Sequence, residues 1–270
     1  MFPIEDSHKK TLVQHINWKK DPLAFAKFKE SFDKKECPIC KFCAERLGRF
    51  YYWFILESYY NPRMMDQLQK AYGFCKEHTW KLIEAGSPYI TGVMYEYLTR
   101  GTKLNLEKFL EDIRGKDGRE RKRAWLARKN HRKDWQKILK ATTHPAVCPA
   151  CENIAWNTKY GMEQLLESLK ETETRDLYRT SGGLCMDHFL QILPLGDEPE
   201  TIFLLEDQIG RARGLHEELK EFLRKYAYQY QHEPKGSEQS SWVRAAEFFT
   251  GKKYDPLDLC RRHRGVLHIF

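Results

Sequence analysis

The residues best suited to chemistry fall into a duplicated pattern. Cys37-Pro38-Ile39-Cys40 is followed by Gly73-Phe74-Cys75-Lys76-Glu77-His78. Cys148-Pro149-Ala150-Cys151 is followed in the same way by Gly183-Leu184-Cys185-Met186-Asp187-His188. The step from Cys40 to Cys75 is 35 residues and that from Cys151 to Cys185 is 34. A Cys-x-x-Cys turn stiffened by proline aims two sulfurs at one point. A Cys-x-x-His on the first turn of a helix aims a sulfur and an imidazole together, and the helix N-terminus favours thiolate over thiol. Two such pairs make a shell of three thiolates and one imidazole, the donor set of a closed structural zinc site. In chain order that groups Cys37, Cys40, Cys75 and His78 around one ion, and Cys148, Cys151, Cys185 and His188 around a second.

Two metal ions are therefore expected, one per repeat. Zinc is favoured because histidine is common on zinc and rare on clusters. Thiolate-rich tetrahedral sites also suit iron–sulfur clusters, which stand as the alternative. A dithiol redox pair would call for a βαβ setting, and the pattern offers none. Cys43 extends the first turn, but Ile154 stands at the matching place of the second, so Cys43 is expected in the core. Cys260 and His263 form a third Cys-x-x-His that lacks a partner pair.

Self-similarity at a fixed offset means one structural unit built twice. The elements around the motifs read as helices. Asn61-Pro62 and Ser87-Pro88 are N-cap and first-turn signals, and Gly73 is a stop. Met65, Leu68 and Tyr72 form a stripe, as do Leu165, Leu166 and Leu169. Leu106, Phe109, Leu110 and Ile113 match Leu215, Leu219, Phe222 and Leu223 late in the second repeat. All these stripes are expected to pack in the core. Alternating strand patterns are missing, so the expected fold is all-α: two tandem helical repeats, each organised around a metal site.

Composition narrows the class. Of 270 residues 41% are hydrophobic and 13% aromatic, too many for a disordered chain. The longest strongly apolar run, Phe50 to Leu56, falls far short of the ~20 residues of a spanning helix. The N-terminus lacks an apolar signal region, so a cytoplasmic, reducing setting is expected. Residues 116–140 hold eleven Lys and Arg against three acidic residues, an excess equal to the net charge of +8 of the whole chain. Trp125, Leu126, Trp135, Ile138 and Leu139 are interleaved, as in a helix with one packed side. Its ordinary role is a solvated connector. Its functional role would be an anionic-partner surface for nucleic acid through Arg121, Lys122, Arg128, Lys129, Arg132 and Lys133. The chain divides into an N-terminal arm and first repeat (1–115), the basic connector (116–140), a second repeat (141–232) and a C-terminal arm and tail (233–270).

The arm contains His232-Glu233-Pro234-Lys235-Gly236, then Ser241-Trp242 opening a helix with Trp242, Ala245, Ala246 and Phe249 on one face, closed by Gly251. With the two CPxC and two GxCxxH motifs, this arm resembles an uncharacterised prokaryotic family marked by CPxC, GxCxxH and a C-terminal HEPxG segment before a Ser-Trp helix. The resemblance spans about residues 30 to 252. It implies a shared fold and shared metal sites and supplies no reaction. No GxSxG, HExxH or Gly-rich phosphate loop is present. The expected function is thus a metal-stabilised interaction or regulatory protein with an unidentified protein partner and no membrane. The alternatives are redox work by clusters or thiols, nucleic-acid binding by the connector, and an enzyme with a pocket near His232 and Glu233.

Overall fold

The computed structural model describes residues 30–33, 36–85, 88–114 and 148–254. All regular structure among them is helical. In chain order the α-helices are α1 (Pro38–Leu56), α2 (Pro62–Ala71), α3 (Lys76–Glu84), α4 (Pro88–Arg114), α5 (Pro149–Ser168), α6 (Thr172–Thr180), α7 (Met186–Ile192), α8 (Glu198–Tyr226) and α9 (Ser241–Thr250). Two compact units emerge, and they interleave along the chain. One takes in the described residues of 1–42 and 159–253, the other those of 43–158 and 254–270. No helix among the described residues is long and apolar enough to cross a membrane.

Local signals explain the element ends. Asn61 caps α2 through its Oδ1, which accepts from the backbone N–H of Arg63 at 3.0 Å and of Met64 at 3.3 Å. Such a cap contributes about 1 kcal/mol. Tyr72 (φ 56°) and Gly73 (φ 99°) end the helix in the left-handed region. The Gly73 N–H then reaches back to the Leu68 carbonyl at 2.7 Å. Gly183 (φ 70°) holds the matching place before α7, where an added Cβ would stand 2.4 Å from Arg211 Nε. That guanidinium is fixed by Asp207 at 2.5 Å and by the Ser181 carbonyl at 2.9 Å.

The unit of residues 43–158 has an aromatic core. Phe54 meets Phe74 edge-on at 5.2 Å, and Phe50 meets Phe74 at 6.0 Å. Tyr51, Leu68, Leu82 and Met94 are fully buried beside them. In the other unit, Tyr178 packs against Phe32 and Phe203. The Leu165, Leu166 and Leu169 stripe is buried, as expected, and so are Met65 and Leu68, whereas Tyr72, in the left-handed cap that ends the helix, is 45% exposed.

Other stripes depart from the expectation of core packing. Leu106 is 61% exposed and Leu223 65%. The side chains of Phe109, Leu110 and Ile113 lie outside the described residues. For Leu106 the reason is length: α4 has 27 residues, whereas α2 and α3, which pack on it, have 10 and 9. At 1.5 Å per residue, α4 runs about 40 Å and α2 only about 15 Å, so α4 outruns its partners. Similarly α9 leaves Trp242 and Phe249 exposed.

Candidate metal centres

Each ligand pair is a helix N-terminus. The carbonyls of Cys37, Cys75, Cys148 and Cys185 accept the first intrahelical hydrogen bonds of α1, α3, α5 and α7. These cysteines are therefore the N-caps, and Cys40, His78, Cys151 and His188 sit three residues on. An N-cap and the third helical residue face the same side of the first turn, which is why the x-x spacing works. Pro38 and Pro149 occupy the first helical position, where no N–H is needed. Ile39 and Ala150 are fully buried and anchor the turns. Glu77 and Asp187 lie in the first turns of α3 and α7. There a carboxylate complements the helix dipole, which accounts for the acidic residue before each histidine.

All eight predicted ligands fall into two groups of four, and the grouping differs from chain order. Cys37 and Cys40 join Cys185 and His188; Cys75 and His78 join Cys148 and Cys151. The Cys-x-x-Cys of each half thus meets the Cys-x-x-His of the other, which corrects the expectation of one self-contained site per repeat. Each centre nonetheless lies within one compact unit.

The distances fit single ions. A tetrahedral zinc with Zn–S about 2.3 Å and Zn–N about 2.05 Å has S···S edges of about 3.8 Å and S···N edges of about 3.6 Å. In the first centre Cys40 Sγ stands 3.7 Å from Cys185 Sγ, while His188 Nδ1 lies 3.6, 3.3 and 3.2 Å from Cys37, Cys40 and Cys185. In the second, Cys75 Sγ stands 3.7 Å from Cys151 Sγ, while His78 Nδ1 lies 3.1, 3.7 and 3.3 Å from Cys75, Cys148 and Cys151. All ligand atoms of a group lie within 4.8 Å of one another. Each group can therefore hold one metal ion.

Crowded thiols cannot all ionise together without a cation. Hydrogen bonding to Cys185 and Cys37 raises the Cys40 thiol, while hydrogen bonds from Cys37 and Cys40 lower Cys185. Burial, with charge from Cys148, pushes Cys151 up to about 12. A divalent ion would relieve this competition by holding three thiolates at once.

Gly251 is a site residue that motif reasoning placed only as the end of α9. Its φ of 77° and ψ of 165° lie in a region essentially reserved for glycine. An added Cβ would stand 2.6 Å from Cys40 Sγ and 3.5 Å from Cys185 Sγ. The end of α9 therefore forms a wall of the first centre. The only sequence signal was a glycine after a helix, which an ordinary C-cap would explain equally well.

The remaining candidates separate from the centres. Cys43 is buried, with Sγ 3.3 Å from Thr158 Oγ1, and belongs to neither group. His232 is exposed, and Glu233 pairs with Arg224. Lys225 Nζ donates to the Pro234 carbonyl at 2.7 Å and to Glu238 at 3.1 Å, and the Gly236 N–H donates to Glu238 at 2.8 Å. The HEPxG segment is thus a turn tied down by ion pairs. Arg121, Lys122, Arg128, Lys129, Arg132 and Lys133 lie outside the described residues, as do Cys260 and His263.

Comparison with known proteins places the chain in a family. Residues 22–256 match the model of a family of unknown function, DUF6062, and the chain belongs to it. None of the curated proteins and none of the solved structures compared with the chain matches it.

Proposed function

We propose that this is a zinc-stabilised interaction or regulatory protein with no catalytic role for its metals. The observation that carries the proposal is the closed shell: four side-chain donors, three sulfurs and one imidazole nitrogen, lie within 4.8 Å of one another at each centre. Catalytic zinc keeps three protein ligands and an open position, whereas structural zinc is enclosed by four. In a multi-iron cluster the ligands bind different iron ions, and the spacing of one tetrahedron favours a single ion over that arrangement. An interaction role draws support from Leu106, Ile209 and Leu223, which α4 and α8 carry into solvent. Thiolate ligands imply a reducing compartment, for which the cytoplasm is proposed.

The test is metal analysis and a visible spectrum on protein purified without oxygen. Two zinc ions per chain and no visible absorption are expected. Iron with a broad visible band would overturn the proposal in favour of redox work.

A further inference from the structure

Two cavities have contrasting walls. The larger part of the charge around the first, which borders Cys37 and Cys185, is already paired: Arg211 with Asp207, Arg244 with Glu218, Lys252 with Glu36.

The second, of about 450 Å³, lies within the unit of residues 43–158, between α1 and the start of α5. Arg46, Arg49 and Trp53 line it from α1 at i, i+3 and i+7, one face of that helix. Asn153, Trp156 and Asn157 line it from α5 at i, i+3 and i+4. No carboxylate occurs among its described lining residues, and its charged lining groups are Arg46 and Arg49. Trp53 and Trp156 both line the cavity, and neither indole is sealed in the core, Trp53 being 49% and Trp156 44% exposed. Asn157 is buried, and its Nδ2 donates to the Asn153 carbonyl at 2.7 Å and to Asn153 Oδ1 at 3.0 Å. The pair of carboxamides is thereby fixed, with the Nδ2 of Asn153 left to donate.

These groups call for a ligand of a definite kind. Indole faces take a planar ring by stacking. Guanidinium groups take a phosphate by charge-assisted hydrogen bonds. Oriented carboxamides pair with the polar edge of a heteroaromatic ring. The volume falls in the ordinary range for small-ligand sites. We infer that this cavity binds one nucleotide, its base against the tryptophans and its phosphate at Arg46 and Arg49. The nucleotide is either free or part of a single strand, since both offer a base and a phosphate. No step of metal chemistry is involved, so the inference stands apart from the metal centres.

Isothermal titration calorimetry on the full chain, with AMP, GMP, CMP and UMP in turn, tests it. Binding of at least one nucleotide is expected, with adenosine and inorganic phosphate each weaker by about tenfold or more. Trp156→Ala and Arg49→Gln should each weaken binding by about tenfold or more, the scale of losing one stacked aromatic or one phosphate contact. Metal content serves as the check on folding; if Trp156→Ala alters it, the surface change Arg49→Gln carries the test. A ten-nucleotide single strand that binds more tightly, with the same sensitivity to both variants, identifies the strand as the source. Equal affinity identifies the free nucleotide. No binding of any of the four nucleotides at millimolar concentration would overturn the inference, as would binding that neither variant weakens.

Discussion

Around His78 the neighbours are aromatic: Tyr51 donates its hydroxyl to the His78 carbonyl at 3.0 Å, and Phe74 closes against Tyr51 and Phe54. Around His188 they are a glycine and charged side chains, with Gly251 against Cys40 and the Lys252–Glu36 pair beside Cys37. The donor sets are the same, yet the two imidazoles respond in opposite directions. Burial lowers the His78 pKa. Burial works against the His188 cation too, but hydrogen bonds with Cys185 and Cys37 outweigh it and carry that pKa to about 10. The same donor set is thus embedded in two different surroundings, aromatic beside His78 and a glycine with an ion pair near His188.

The largest effect is expected from ligand loss. Structural zinc carries an apparent binding free energy of ~10 kcal/mol or more, comparable with the whole stability of about 5–15 kcal/mol of a domain. Cys75→Ser should remove one metal and abolish the near-ultraviolet circular dichroism of the aromatic core. Cys185→Ser should remove one metal and leave most of that signal. Equal loss of the aromatic signal in both variants would erase the distinction between the units.

A smaller effect, confined to the first centre, is expected at Gly251. Gly251→Ala forces a Cβ against Cys40 Sγ, which a bound ion would hold in place. Chelator competition should then show one ion weakened about tenfold or more and the other unchanged, a loss of ~1.4 kcal/mol or more. Gly210→Ala is the control, because nothing lies within 4 Å of its added Cβ. It should gain up to about 1 kcal/mol from helix propensity. A Gly251→Ala protein with both ions at parental affinity would remove the wall from the account.

Glu238 offers a graded test in the same unit. The Gly236 N–H, with Lys225, holds its carboxyl down to about 2, against an ordinary value of 4.5. A depressed pKa contributes stability that is present above the ordinary value and lost as pH falls toward the folded one. Glu238→Gln should therefore lower Tm by the same amount at pH 7 and pH 5.5, with both metals retained. A deficit that vanishes by pH 5.5 would contradict this. The smallest effect is expected at Cys43, where Cys43→Ser keeps a hydroxyl partner for Thr158. Two metals should remain, with stability changed by about 1 kcal/mol; loss of a metal would make Cys43 a ligand.

Helical class, the ligand residues and the Asn61 cap were legible because each depends on local chemistry: spacing, proline position, a side-chain acceptor. The crossing of ligand pairs was not. Both groupings use the same residues, and loop closure scarcely separates them. Cys40 and Cys185 are 145 residues apart, where the chain-order pair Cys40 and Cys75 is separated by 35. Two doublings of loop length cost only about 1.2 kcal/mol. The pairing is set by tertiary packing, and no motif records it. Leu106 misled for a related reason, since periodicity marks a face and does not tell how far along a helix its partners reach. Gly251 looked like a helix end until Cys40, 211 positions earlier, was seen to lie beside it.

The crossed centres can be tested by counting metal in one double variant. Cys40→Ser combined with Cys185→Ser removes two ligands from a single centre in the structure. The account predicts that one zinc per chain remains, bound by Cys75, His78, Cys148 and Cys151. A chain-order pairing would place the two changes in different centres, and a double variant that retains no metal while keeping its helical circular dichroism would contradict the account.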